Sequence, residues 1–329
     1  MTKKPLLLLA ALVTGLAATP TAATAQSYPE RPIDLVLGFA AGSATDTIAR
    51  YYAMQLESEL GQPVVVKNAP GASQYVAISQ LTSARPDGYT LMVATASALS
   101  QGPGVRDDLP YDPLTDFQPV ALLATTPGIF VTTPGLSVNT MEEFISYAEE
   151  HPNELNYGSS GLGSASNLQI ELLKSRVGID MVHIPYEGST QIMTAIIQGE
   201  AQFGVGPIDG ALPSIQGGQV RGLAISGDTR SPLLPDVPTL SELGGYDLDA
   251  LDPYTYYVIV APNGTPQEIV DQVNEALNRI SSSDAAQEYL GSKGFIPETR
   301  TAAEALDFMR NDTQTWIDFR EATGFTFAN

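Results

Sequence analysis

Cysteine is absent from this 329-residue chain, histidine occurs only as His151 and His183, and tryptophan only as Trp316. Without thiols there is no disulfide, no zinc–thiolate centre, no cysteine nucleophile and no lipid-modified cysteine, so stability must come from packing alone. Basic residues are scarce too: 16 Lys and Arg stand against 37 Asp and Glu, a net charge of −21. Such a field makes nucleic acid a very poor partner. The common catalytic signatures are also missing. Gly158-Ser159-Ser160-Gly161-Leu162 lacks the Gly-x-Ser-x-Gly spacing of a hydrolase elbow, and neither a zincin helix nor a phosphate-cradling Gly-Lys-Ser/Thr loop occurs. Metal, cofactor and catalysis are therefore not expected.

One apolar run is present, at residues 6–18, behind Lys3 and Lys4 and ahead of Ala23-Thr24-Ala25. Charged start, apolar stretch and small-x-small site form the pattern of a secretory signal peptide, and the stretch is shorter than the roughly 20 residues of a membrane span. Cleavage is expected near Ala25, delivering a free protein to the periplasm. Loss of Lys3 and Lys4 leaves 14 bases against 37 acids, a net charge of −23. The remaining chain of about 304 residues is long for one core and comfortable for two lobes.

Two segments stand out. Residues 33–39 form a short apolar strand that runs into Ala41-Gly42-Ser43-Ala44-Thr45-Asp46, and residues 155–157 run into Gly158-Ser159-Ser160-Gly161-Leu162-Gly163-Ser164. Each loop of glycines and small hydroxyl residues opens a helix. The first N–H groups of a helix have no partner inside it, and the macrodipole adds about half a positive charge there, so each unit is an anion seat. On separate lobes facing one cleft, the two seats would hold a small molecule with a carboxylate at each end. Ser43, Ser159, Ser160 and Ser164 read either as ligand contacts or as helix caps, and Asp46 reads as a contact or as a charge favouring the dipole. Ser97 follows a strand at the end where open α/β sheets bind ligands. Tyr186, Gly188 and Ser189 start a further helix and offer a third set of donors. His183, inside a predicted strand, reads as a core or edge histidine, and Trp316 as core.

Strand-like runs at 33–39, 63–66, 90–94, 120–124, 129–132, 181–184, 201–205, 220–225 and 254–260 alternate with helical ones, which predicts α/β lobes with largely parallel sheets. Ile48, Tyr52, Leu56 and Leu60 keep helical spacing up to Gly61, and capping boxes are predicted at Thr140, Thr265 and Thr301. Residues 189–198 read as a helix, and 101–113 and 231–245 as long surface connections. The chain is expected to cross between lobes near 120–132 and 254–260. That divides it into a signal peptide (1–25), a discontinuous first lobe (26–125 plus 251–329) and an inserted second lobe (126–250).

Over nearly all of its exported part the chain resembles the extracytoplasmic solute receptors of the tripartite tricarboxylate transporters, the TctC or Bug (Bordetella uptake gene) type. The resemblance is carried by Tyr28-Pro29-Glu30-Arg31-Pro32-Ile33, Gly61-Gln62-Pro63-Val64-Val65-Val66 with Asn68-Ala69-Pro70-Gly71-Ala72, Pro86-Asp87-Gly88-Tyr89-Thr90-Leu91, Leu109-Pro110-Tyr111-Asp112-Pro113, His183-Ile184-Pro185-Tyr186-Glu187-Gly188-Ser189 and Leu234-Pro235-Asp236-Val237-Pro238-Thr239, in order and at matching spacing. It implies a type II periplasmic binding-protein fold, two Rossmann-like α/β lobes joined by crossing hinge strands. Such a protein closes on a small organic acid anion and delivers it to the membrane subunits of its transporter; a monomer is expected.

By position, the resemblance assigns carboxylate contacts to Phe39, Ala41, Gly42 and Ser43 in one lobe and to Ser159, Ser160, Gly161 and Ser164 in the other. Departures from the family pattern are Ser73-Gln74-Tyr75 where Gly-Gly-Asn is common, Asn167 where histidine is common, and Gly206 where aspartate is common. Gln74 and Tyr75 would reshape the cleft toward an aromatic or larger acid. The loss at Gly206 argues against an amino-acid ligand unless Asp209 compensates. A co-receptor for a sensor kinase, using the same closed state, fits the sequence as well.

Overall fold

The computed structural model describes residues 28–71, 74–186, 188–248, 251 and 254–325. The signal peptide expected at 1–25, and Ser73 of the candidate site, lie outside the described residues.

The first stretch of chain runs β1 (Ile33–Leu37), α1 (Ala44–Leu60), β2 (Val64–Asn68), α2 (Tyr75–Thr82), β3 (Thr90–Thr95), a π-helical turn (Ser97–Gln101) continuing into α3 (Gly102–Val105), and β4 (Phe117–Thr126). The middle runs β5 (Gly128–Thr132), α4 (Met141–Glu150), β6 (Asn156–Ser159), α5 (Ala165–Val177), β7 (Val182–Pro185), α6 (Ser189–Gln198), β8 (Phe203–Pro207), α7 (Ile208–Gln216) and β9 (Arg221–Ile225). The chain returns through β10 (Thr255–Pro262) to α8 (Gln267–Ser281), α9 (Asp284–Gly291), β11 (Ile296–Pro297) and α10 (Ala302–Thr323).

Two sheets result, ordered β11-β4-β10-β3-β1-β2 and β7-β6-β8-β5-β9. In the first, β2, β1 and β3 are parallel and β10 is antiparallel to both β3 and β4. In the second, β7, β6 and β8 are parallel and β5 is antiparallel to β8 and β9. The expectation of largely parallel sheets is therefore corrected. Each sheet is a parallel trio joined through one reversed crossing strand, β10 or β5, to a strand that runs with the trio, β4 or β9, because the chain enters each lobe from the other and the crossing strand meets the sheet from the opposite end. Pro127 alone separates β4 from β5, and Gly128 N–H at that crossing donates to Ser226 Oγ at 2.7 Å.

Helices cover both faces of each sheet, so the central strands lose the polar half of their alternation. Ile33, Leu35 and Leu37 of β1 join Ile48 and Tyr52 of α1 on one face, while Val36 meets Ala77 and Ile78 of α2 on the other. β10 divides likewise, with Tyr257 and Ile259 on one face and Tyr256 and Val258 on the other. Trp316 is 1% exposed and packs in core, as expected.

Within each parallel trio the first strand lies in the middle: β1 between β2 and β3, β6 between β7 and β8. The helix connections leave a middle strand in opposite directions, and the loop at its carboxyl end faces the gap between them. The loops that follow β1 and β6 are the two segments expected from sequence to seat an anion, so topology sets both at the position where open α/β sheets take ligands.

Local chemistry explains the helix ends. Ser43 caps α1 by accepting from Asp46 N–H, and Gly61 ends it in the left-handed conformation with its N–H on Glu57 O. Thr301 forms the predicted capping box with Glu304. The box at Thr140 is half made: its hydroxyl accepts from Glu143 N–H, but Glu143 reaches back to Asn139 N–H at 2.6 Å. The box at Thr265 does not form. Pro266 is the cap residue there, and Thr265 Oγ1 donates instead to Pro262 O at 2.7 Å. Residues 101–105, predicted as surface connection, are helical, with Gln101, Gly104 and Val105 buried. A Cβ on Gly104 would lie 2.4 Å from Trp316 Cβ, and that close approach of α10 is what a local reading of Gly and Pro misses.

Candidate functional site

The loop after β1 is held from below by Asp46. Its Oδ2 accepts from Gly42 N–H at 2.8 Å and from Arg50 Nε at 2.9 Å, and its Oδ1 accepts from Asn68 Nδ2 at 2.9 Å. Burial alone would raise this carboxyl, but the hydrogen bonds from Arg50, Gly42 and Asn68 outweigh burial and hold it at about 2. Asn68 also donates to Phe39 O at 3.0 Å, fixing the loop's entry. Ser43 Oγ is committed to Asp46 N–H at 3.1 Å, and for the N–H groups of Ala44 and Thr45 no partner is found among the described residues.

The loop after β6 repeats this design. Ser164 caps α5 by accepting from Asn167 N–H at 3.3 Å, and Asn167 Oδ1 takes Gly163 N–H at 2.8 Å, as Asp46 takes that of Gly42. Both preceding glycines have positive φ, +83° at Gly42 and +74° at Gly163, which a side chain would strain. The N–H groups of Ala165 and Ser166 likewise have no partner among the described residues. Beneath the loop Asn167 Nδ2 donates to Tyr157 Oη at 2.7 Å, and Tyr157 donates to Glu171, which pairs with Lys174 at 3.0 Å.

These two helix starts meet. Ser43, Ala44 and Thr45 line one cavity of about 550 Å³ together with Ser160, Leu162, Gly163, Ser164, Ala165 and Ser166. Tyr254, Thr255 and Tyr257 of the return crossing complete its wall. Among its described lining residues there is no carboxylate, and one side chain, Arg106, is basic. In a chain with 37 acids, that selection of lining is what an anion requires.

Gln74 forms part of the wall. It stands at φ +75°, 3% exposed, its Nε2 donating to Thr95 Oγ1 at 3.0 Å and Ser97 Oγ at 2.9 Å. Its Oε1 is a buried acceptor without a partner among the described residues. Gly38 makes the space: a Cβ there would lie 2.6 Å from Gln74 Cβ.

Phe39, Ser43, Gln74, Ser97, Ser160 and Ser164, all singled out in the sequence, line this cavity. Gly42, Ser189 and Gly206 line an adjoining cavity of about 600 Å³ that shares Ser43 and Ala44 with the first and includes Asp209, whose carboxyl burial pushes up. The single cleft expected from sequence is thus two cavities meeting at the start of α1. Ser159 and Gly161 line neither. Ser159 is fully buried, its Oγ accepting from Gly161 N–H at 3.1 Å and lying 2.5 Å from His183 Nε2, so it holds the loop in shape. Burial lowers the His183 pKa and favours the neutral ring, which stacks on Tyr157 5.0 Å away. Ala41, Tyr186 and Gly188 also line neither cavity. Tyr186 instead covers Gly158, its ring carbon 3.2 Å from where a Cβ would sit.

Sequence reading missed Arg106, Leu109 and Tyr111 as wall residues. The motif at 109–113 carried the signal, but only the tertiary fold brings that segment beside α2.

A family model described as "Tripartite tricarboxylate transporter family receptor" matches residues 48–324. Among solved structures, the chain is similar to R. palustris Rpa4515 with adipate, at 30% identity and a TM-score of 0.79, covering 91% of this chain and 99% of that one. It is similar to MatC from Rhodopseudomonas palustris with bound malate, at 30% identity and a TM-score of 0.74, covering 89% and 99%. It is also similar to the periplasmic binding protein BugD, at 27% identity and a TM-score of 0.75, covering 90% and 99%.

Proposed function

This chain belongs to the tripartite tricarboxylate transporter receptor family, and on that footing we propose that it captures a small carboxylic acid between its lobes and delivers it to the membrane subunits of such a transporter. The family is one of solute receptors, and its solved relatives hold the diacids adipate and malate. The observation that carries the reading is a cavity walled by two helix starts whose first two N–H groups have no partner among the described residues and, among its described lining residues, no carboxylate. One carboxylate group of the ligand rests on Ala44 and Thr45 N–H with Ser43 at the rim; the other rests on Ala165 and Ser166 N–H with Ser160 and Ser164. Charge-assisted hydrogen bonds contribute about 1.5 to 3 kcal/mol each, and micromolar affinity needs about 8 kcal/mol, so four to six donors suffice after association costs.

On this reading residues 26–125 with 251–329 close against residues 126–250, and the strands that cross between them are the hinge. The apolar run at 6–18 directs the chain to the periplasm, where it meets its cargo. The second cavity, with Asp209 and the open space at Gly206, accepts a hydroxyl or other donor group of a substituted acid.

The test is a thermal-shift panel of di- and tricarboxylic acids against their amides. A ligand at about 100 times its dissociation constant adds about 2.7 kcal/mol of stability. Acids are expected to raise the melting temperature and amides to leave it unmoved; amides that stabilise equally would defeat the reading.

A further inference from the structure

Besides the two helix starts, the main cavity is walled by Tyr75, Arg106, Leu109 and Tyr111. Tyr75 and Tyr111 meet edge to face at 5.8 Å, and Tyr111 is fixed by donating to Ala98 O at 2.8 Å and stacking on Phe117. Arg106 ends the short helix α3 and lines both this cavity and a smaller one of about 250 Å³ that shares Leu109 and Tyr111 with it. Its guanidinium forms a two-point fork with Asp108, Nε to Oδ1 and Nη2 to Oδ2, each at 2.9 Å. The two partners are unequal: Arg106 is 30% exposed and Asp108 74%. An exposed carboxylate returns to water readily, and a surface pair of this kind contributes little to stability. The fork itself is made for a planar carboxylate.

From this geometry we propose that Arg106, with Tyr75 and Tyr111, is an alternative second seat for longer diacids: one carboxylate stays at a helix start, the body of the ligand lies against the two rings, and the far carboxylate is held by Arg106 in place of the other helix start. Asp108 occupies the fork in the absence of ligand, and the ligand's far carboxylate replaces it. The cavity, at about 550 Å³, has room for such a body. Arg106 is then a specificity-determining residue, and Asp108 a competitor built into the chain. The inference rests on the carboxylate-receptor reading above and adds the ligand class to it.

The experiment is calorimetric titration of the mature protein with two matched pairs, adipate and its monoamide, and terephthalate and its monoamide. In the unaltered protein at least one diacid is expected to bind tenfold or more tightly than its monoamide. Arg106→Gln is expected to weaken that diacid 10- to 100-fold while leaving the monoamide within threefold, and Asp108→Asn to tighten the diacid severalfold. A gain of affinity at Asp108→Asn does not arise from misfolding, and melting temperatures within a few degrees show that Arg106→Gln folds. A diacid-to-monoamide ratio unchanged by Arg106→Gln, or a loss shared equally by acid and monoamide, overturns the subsite and leaves the receptor reading standing. Failure of all four compounds and of the wider acid panel to bind the unaltered protein overturns both.

Discussion

The starts of α1 and α5 share one geometry and differ in one charge. Each has a serine cap, a glycine with positive φ before it, and a side chain at the third helical position that reaches back to that glycine's N–H. At α1 that side chain is Asp46, ionised and answered by Arg50. At α5 it is the neutral Asn167, backed by Tyr157. A carboxylate arriving at α1 meets a dipole already partly offset by an anion, whereas at α5 it meets the dipole alone. The comparison teaches that loop shape and loop charge are set separately: hydrogen-bond capacity at the third position shapes the seat, and ionisation there tunes its strength. On the proposed reading the α5 seat is therefore expected to be the stronger anchor.

The comparison extends to the strands below. Gly38 follows β1, and a Cβ there would lie 2.7 Å from Gln74 Cα, which is backbone and cannot turn aside. Gly158 in β6 faces only side-chain atoms, Ile192 Cγ2 at 3.0 Å and Tyr186 Cε2 at 3.2 Å. The largest expected effect is that Gly38→Ala costs about 3 kcal/mol in denaturant unfolding, against about 1 kcal/mol for Gly158→Ala. Equal costs would mean that the two halves are equally tolerant.

Next in size, Ser164→Asp sets a carboxylate on the stronger seat. Aspartate caps a helix as well as serine, so the melting temperature should hold while affinity for a diacid falls about 100-fold, or about 2.8 kcal/mol. Titration calorimetry decides it, and undiminished affinity would remove α5 from the site.

Asp46→Asn makes the α1 seat resemble that of α5. Asp46 is held at about 2 when folded against an ordinary value of 3.8, so its stabilisation is full above pH 4 and is lost as pH falls through about 2. The variant should be less stable by about 2 kcal/mol at pH 7, with the gap closing on acidification. At the same time its affinity for acids should rise a few-fold. A loss of both stability and affinity would show that Asp46 shapes the seat without weakening it.

Much of this was legible in the sequence. Ser43, Gly61, Thr301 and Glu304 announce helix ends through contacts within four residues, and the apolar runs of β3 and β10 are continuous because both faces are covered. Serines at 43, 97, 160 and 164 were identifiable as site candidates for the same reason, each following a strand and opening a turn or helix. Ser159 was not separable from Ser160: neighbours in a loop point to opposite sides, and only the position of His183 on β7 shows which one turns inward. α2 and α7 gave weaker signals, one opening on Gln74 with no side-chain cap and the other containing Pro213. The wall at Arg106 depended on α10 pressing Trp316 against Gly104, a contact between residues more than 200 positions apart.

The residues alone determined that this chain would twice build a strand, a glycine-and-serine loop and a helix start able to hold an anion, because caps, dipoles and turn conformations are decided by chemical neighbours a few positions away. That both starts share one cavity, that a second cavity adjoins it at Ser43, and that the Arg106 side chain joins them in lining the first was decided only by the tertiary structure. Strand order and the packing of one lobe on the other arise from contacts between distant segments, whose outcome no local pattern encodes.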